Sequence, residues 1–222
     1  MKFNFSSLAA AVALSGVVSI PAFADTIGIA NTGTSGGSVI AIGAADPNYS
    51  LISAPSGVTL TAVATSPNGA WVPNTSTAEW ISPGSSGNDN WPPGDYTYQI
   101  TFDIPSTDNP ATAQLSGMWT ADNSACISLD GGTPGNCIGG TAFGSLNAFS
   151  ITSGFTTGVN TLDFIVDNLP GPGNNPTGLF VEISGTVSPG GTTVIPEPSS
   201  LLLLGTGLAG IGMLYRRMRR AN

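Results

Sequence analysis

From residue 38 to residue 187 apolar and polar positions alternate singly along much of the chain, the period of strands that bury one face. The clearest run sets Tyr96, Tyr98, Ile100, Phe102 and Ile104 on one face and Thr97, Gln99, Thr101 and Asp103 on the other. Shorter runs of the same kind span 113–120, 125–129, 147–151, 161–166 and 178–187, and earlier ones span 38–42, 58–64 and 77–81. Clusters of Gly, Pro, Asn and Asp separate them, most densely over 170–176. Short strands at even spacing with turn residues between them predict an all-β fold, an antiparallel β-sandwich of jelly-roll type over 25–188. The best-formed part is 77–188, because most aromatics follow the stretch from Trp71 to Trp80. Clean alternation from Val58 to Val63 assigns the front part to the same sandwich.

Two apolar runs at the ends break the alternation. At the start, Lys2 precedes an apolar stretch from Leu8 to Val18, and Ala22 and Ala24 put small residues at the −3 and −1 positions. This is the anatomy of a signal peptide over 1–24, with signal peptidase cutting before Asp25. At the other end a linker over 189–195 leads to Pro196-Glu197-Pro198, an apolar run, and Arg216, Arg217, Arg219 and Arg220. That run predicts a transmembrane helix over 199–215, near the lower limit of about 17 residues for a span. The arginines would hold its end in the cytoplasm and leave the bulk of the chain outside.

Pro-Glu-Pro, a Leu/Gly-rich run and a terminal arginine cluster, in that order over 194–220, resemble the PEP-CTERM sorting signal. The resemblance implies an exported protein of a Gram-negative bacterium, whose membrane-anchored precursor meets an exosortase at the inner membrane. Residues 196–220 would be the sorting signal, and the released product would go to the cell surface or extracellular matrix. A second resemblance rests on Gly94-Asp95-Tyr96-Thr97-Tyr98, on Gly117-Met118-Trp119-Thr120-Ala121-Asp122-Asn123 and on Ser128-Leu129-Asp130-Gly131. Asn160-Thr161-Leu162-Asp163-Phe164 and Gly178-Leu179-Phe180-Val181-Glu182 extend it. Together these are similar to the galactose-binding-like jelly roll, an accessory module of glycosidases and of exported proteins. Asp130 stands where that pattern has Asn.

Charge narrows the partners. The chain has 5 Lys+Arg, 13 Asp+Glu and no His, and no cation lies between Asp25 and Tyr215. Nucleic acid is excluded as a partner, since phosphate neutralisation needs Lys or Arg. Ser-His-Asp chemistry is excluded too, because it needs a histidine. Cys126 and Cys137 are the only cysteines and flank the turn residues 130–135. In an oxidising compartment they predict a disulfide. Zinc would lack ligands, and a thiolate would lack a cation to lower its pKa.

Trp80, Asp89, Asn90 and Trp91 are the candidate carbohydrate-binding set. An indole face meets the apolar face of a sugar ring and leaves the hydroxyls to amides and carboxylates. The plainer account has both tryptophans capping the end of the sandwich. Asp122, Asn123 and Asp130 are hard-oxygen candidates for Ca²⁺ on neighbouring turns, which turn formation alone would also explain. The function expected is an exported, non-catalytic protein that binds neutral polysaccharide. The first alternative is a structural or adhesive surface protein with Ca²⁺-assisted association and no small ligand. The second is a carboxylate-dependent glycoside hydrolase using Asp163 or Glu182.

Overall fold

A computed structural model describes residues 23–191 and 198–220. The expected signal peptide lies outside these residues up to Ala22, as do Pro196 and Glu197 of the sorting signal. In chain order the strands are β1 (Asp25–Ile27), β2 (Thr34–Ser35), β3 (Ser38–Val39), β4 (Ser50–Ser53), β5 (Val63–Thr65), β6 (Trp80–Ser82) and β7 (Gly94–Ile104). There follow β8 (Asp108–Asp122), β9 (Ser124–Leu129), β10 (Gly135–Ile138), β11 (Asn147–Ile151), β12 (Gly158–Asn168) and β13 (Gly178–Pro189), then helix α1 (Pro198–Arg220).

Two antiparallel sheets face each other. The first has the order β11-β8-β13-β6-β5, with β1 also paired to β13, and the second has the order β10-β9-β12-β7-β4. Between them lies the core predicted by the period-2 pattern: Tyr96, Tyr98, Ile100, Phe102 and Ile104 from β7 meet Leu115, Trp119 and Ala121 from β8. Trp119 and Phe164 join the layers, with ring centroids 5.7 Å apart. Gly185 on β13 allows this packing, because a Cβ there would lie 2.5 Å from Leu115 and 2.9 Å from Ile27. The front of the chain is part of the same sandwich, since β1, β4 and β5 each pair with a strand of its sheets.

Three early runs differ from expectation. The strand expected over 58–64 is reduced to Val63–Thr65, because the chain turns on itself before it, with Thr61 N–H bonded to the Thr59 carbonyl, while residues 62–64 pair with 43–46. Asp46 N–H donates to the Ala62 carbonyl, Gly43 N–H to that of Ala64, and Ala64 N–H to that of Ala44. Leu60, on the expected apolar face, is exposed. The run 38–42 yields only β3, paired with β2, and 77–81 starts late as β6.

The expected transmembrane helix over 199–215 needs correction. The helix forms as α1, but among the described residues no helix is long and apolar enough to cross a membrane. From Leu201 to Tyr215 about fifteen residues rise roughly 22 Å, against a hydrocarbon core of about 30 Å. Gly205, Thr206, Gly207, Gly210 and Gly212 dilute their hydropathy, and Arg216 ends the run.

The sandwich has two distinct poles. Asn168 is paired with Gly94 and Leu179 with Ile81, so the loops 83–93 and 169–177 share one pole. Asp25 is paired with Val187 and Pro189 with Asp108, which places both ends of the sandwich and the β7–β8 turn at the other. There Gly190 N–H donates to the Thr107 carbonyl at 2.7 Å.

Candidate functional site

The two loops at the first pole are joined side by side into a rim. Pro92 and Pro93 on one loop, and Pro170, Pro172 and Pro176 on the other, remove backbone donors. Asparagine amides supply them instead. Asn168 Nδ2 donates to the carbonyls of Trp91 (3.2 Å) and Pro92 (3.1 Å), and Tyr96 Oη donates to Pro92 at 2.8 Å. Asn174 Nδ2 donates to the Asn88 carbonyl (3.0 Å), and Asn175 N–H to Asn90 Oδ1 (2.9 Å). Trp91 N–H returns a bond to the Asn175 carbonyl at 2.9 Å.

This rim brings Asp89, Asn90 and Trp91 together. The Asp89 carboxylate accepts from Ser86 N–H at 3.3 Å, and Asn90 is exposed. The Trp91 ring packs over Gly84, where a Cβ would meet it at 2.8 Å, and rests against the main core while keeping part of its surface accessible. Asn88, Asn168, Asn174 and Asn175, absent from the candidates, belong to the same rim. For Asn174 and Asn175 the sequence signal was the Asn-Asn-Pro turn, which does not reveal that two distant loops meet.

Trp80 is a correction: it is fully buried and takes no part in the rim. On β6 Ile81 enters the main core, so Trp80 points to the outer face of the first sheet. A covering segment over 66–78 encloses it there. Trp71 stacks on it with centroids 4.1 Å apart, Phe180 lies at 5.9 Å, and Trp80 Nε1 donates to the Val72 carbonyl at 2.8 Å.

The candidate Ca²⁺ residues are not brought together. Asp122 precedes β9 and Asp130 follows it, and six residues of strand span about 20 Å. Asn123 spends its side chain on Gly140 and Leu169. Asp130 Oδ1 accepts from Thr161 N–H at 2.6 Å and from Thr161 Oγ1 at 3.2 Å. Among the described residues no three His, Cys, Asp or Glu are grouped to hold a metal ion.

Asp122 is instead a buried anchor. Its Oδ2 accepts from Trp71 Nε1 at 2.9 Å, tying the covering segment to the end of β8. Burial pushes its carboxyl up to about 6, against the lowering effect of the Trp71 N–H. A raised folded-state value makes a favourable contribution below the unfolded value that is lost as pH rises through the folded one. Stability from this group should therefore fall between about pH 4 and pH 6 and stay level above. Asp122→Asn keeps an acceptor for Trp71 and should remove that slope, raising stability at pH 7 by on the order of 2 kcal/mol. Urea denaturation across this pH range checks it. A slope unchanged in the variant would place the titrating group elsewhere.

The carboxylates proposed for hydrolysis lie on opposite outer faces. Asp163 on the second sheet accepts from Gln99 Nε2 at 2.8 Å. Glu182 on the first accepts from Thr75 and Thr77 hydroxyls at 2.9 and 2.8 Å. Cys126 and Cys137 form the disulfide, which fastens β10 to β9.

Residues 194–220 match the PEP-CTERM protein-sorting motif. No curated protein and no solved structure matches the chain. The motif implies an exported surface protein targeted to an exosortase, with a membrane-anchored precursor. Within it Pro198 opens α1, a position where its missing N–H costs nothing. Arg217, Arg219 and Arg220 lie in the last turn and complement its dipole, and Arg216 directly precedes them. Ala24, at the expected signal-peptidase site, is exposed immediately before β1.

Proposed function

We propose that this exported protein binds neutral polysaccharide, without catalysis, through the rim formed by loops 83–93 and 169–177. One observation carries the reading: of the chain's 4 tryptophans only Trp91 is not buried, and it lies at the rim. Around it Asn88, Asn90 and Asn174 are exposed amides, each able to offer donor and acceptor to vicinal hydroxyls. No lysine, arginine or histidine lies between Asp25 and Tyr215 to select an acidic ligand. The resemblance to galactose-binding-like modules supports the same ligand class.

Affinity electrophoresis of the 25–191 sandwich in gels containing neutral polysaccharides tests this. Retardation is expected, and Trp91→Ala or Asn174→Ala should weaken binding by about tenfold, the effect of removing one good contact. Asn174 lies outside the core, so its variant separates lost binding from lost folding. Mobility unchanged by every neutral polysaccharide would refute the proposal.

A second reading is Ca²⁺-assisted association of surface copies. It rests on the outer face of the second sheet, where the register sets Asp95 directly opposite Asp167, beside a groove of about 290 Å³. Like charges placed opposite each other destabilise a ladder, and a divalent cation between neighbours would relieve them. Self-association on adding calcium, with no retardation in any gel, would favour it.

A further inference from the structure

We propose that the anchored precursor stands with its loop rim turned away from the membrane, so that the rim meets its polymer well clear of the bilayer. The orientation follows from the path of the chain, and only the identity of the polymer rests on the reading above. β13 leaves the rim at Gly178 and ends at Pro189, a strand of 12 residues that covers roughly 36 Å. The next residue, Gly190, is held to Thr107 in the turn at the opposite pole. Residues 190–197 separate the last strand from α1, and the sorting motif starts at residue 194. The sandwich is thus tethered by one pole.

The N-terminal end of the sandwich lies at the same place. β1 runs antiparallel to β13 and pairs Asp25 with Val187, Thr26 with Thr186 and Ile27 with Gly185. Whatever precedes Asp25 therefore joins the fold beside the root of the sorting segment.

Electrostatics adds no competing pull. A domain lying on its side against anionic lipid would need lysine or arginine on its flank, worth about 1 kcal/mol each near the surface. No such residue exists between Asp25 and Tyr215. The opposite pole, with Thr107, Asp108 and Ser188, is therefore the surface nearest the processing enzyme, and ligand at the rim should not obstruct processing.

Energy transfer in proteoliposomes holding the full chain provides the test. Single cysteines replace exposed Asn88 at the rim or exposed Ser106 at the opposite pole, and carry a donor dye. The native cysteines are joined to each other and do not react. With acceptor dye on lipid headgroups, transfer should be efficient from S106C and severalfold weaker from N88C. A second pair, T157C near the root and N174C at the rim, guards against local effects. Equal transfer, reversed transfer, or none from either pole would overturn the orientation. A neutral polysaccharide added to the same vesicles should raise the anisotropy of a dye on S85C, an exposed rim position outside the proposed contacts, and leave S106C unchanged. Loss of that response with the transfer pattern intact removes the ligand reading and leaves the orientation standing.

Discussion

Trp80→Ala is expected to destabilise the sandwich by about 3–5 kcal/mol, the cost of truncating a buried tryptophan. For a domain of this size that lowers Tm by on the order of 10 °C. The side chain is wholly buried on the outer face of the first sheet, where it stacks on Trp71 and abuts Phe180. Alanine would remove both contacts and strip the Val72 carbonyl of its indole donor. The loss spreads, because Trp71 also holds Asp122 and covers Gly178 at the start of β13. Trp80→Phe keeps a ring in the stack and gives up chiefly the hydrogen bond, so about 1 kcal/mol should suffice for it. Thermal melts followed by circular dichroism separate the two. An alanine variant that melts like the parent would return Trp80 to the surface and revive its candidacy for sugar binding.

Reduction of Cys126–Cys137 should cost about 3 kcal/mol on the loop-entropy estimate for a bridge between residues 11 apart. The bridge fastens β10, a strand at the edge of the second sheet that pairs only with β9. Without it the free chain gains the conformations that the closed loop forbids. The edge strand would open first, because few partners hold it. Guanidinium denaturation with and without reductant, with thiols counted at each step, measures the loss. A midpoint that stays put once both thiols are free would show that β10 holds without its cross-link.

How far the amino-acid order discloses this architecture varies by region. Tyr96 to Ile104 alternates because β7 lies between β12 and β4 with one face on the core, and the same holds for β8, β12 and β13. Long strands buried on one side announce themselves. The covering segment over 66–78 does not, since it protects a face that ordinary alternation assigns to solvent. That is why Trp80 and Trp91 look equivalent in one dimension while only Trp91 reaches the rim. The Asn168, Asn174 and Asn175 amides were hidden for a related reason: their partners lie 76 to 86 residues away on another loop. Cys126 and Cys137 were legible because the residues between them already form a turn. Asp122 and Asp130 are close along the chain, yet straight strand keeps them at opposite ends of β9.

Both layers of the sandwich lie inside the stretch that contains neither lysine nor arginine. Enzymes that cut beside those side chains, common wherever microbes share a habitat, find no peptide bond to attack between Asp25 and Tyr215. A product trimmed to that stretch would present a single reactive amine, at its first residue, beside Val187. Its durability outside the cell would then rest on chemistry it lacks as much as on the packing it has.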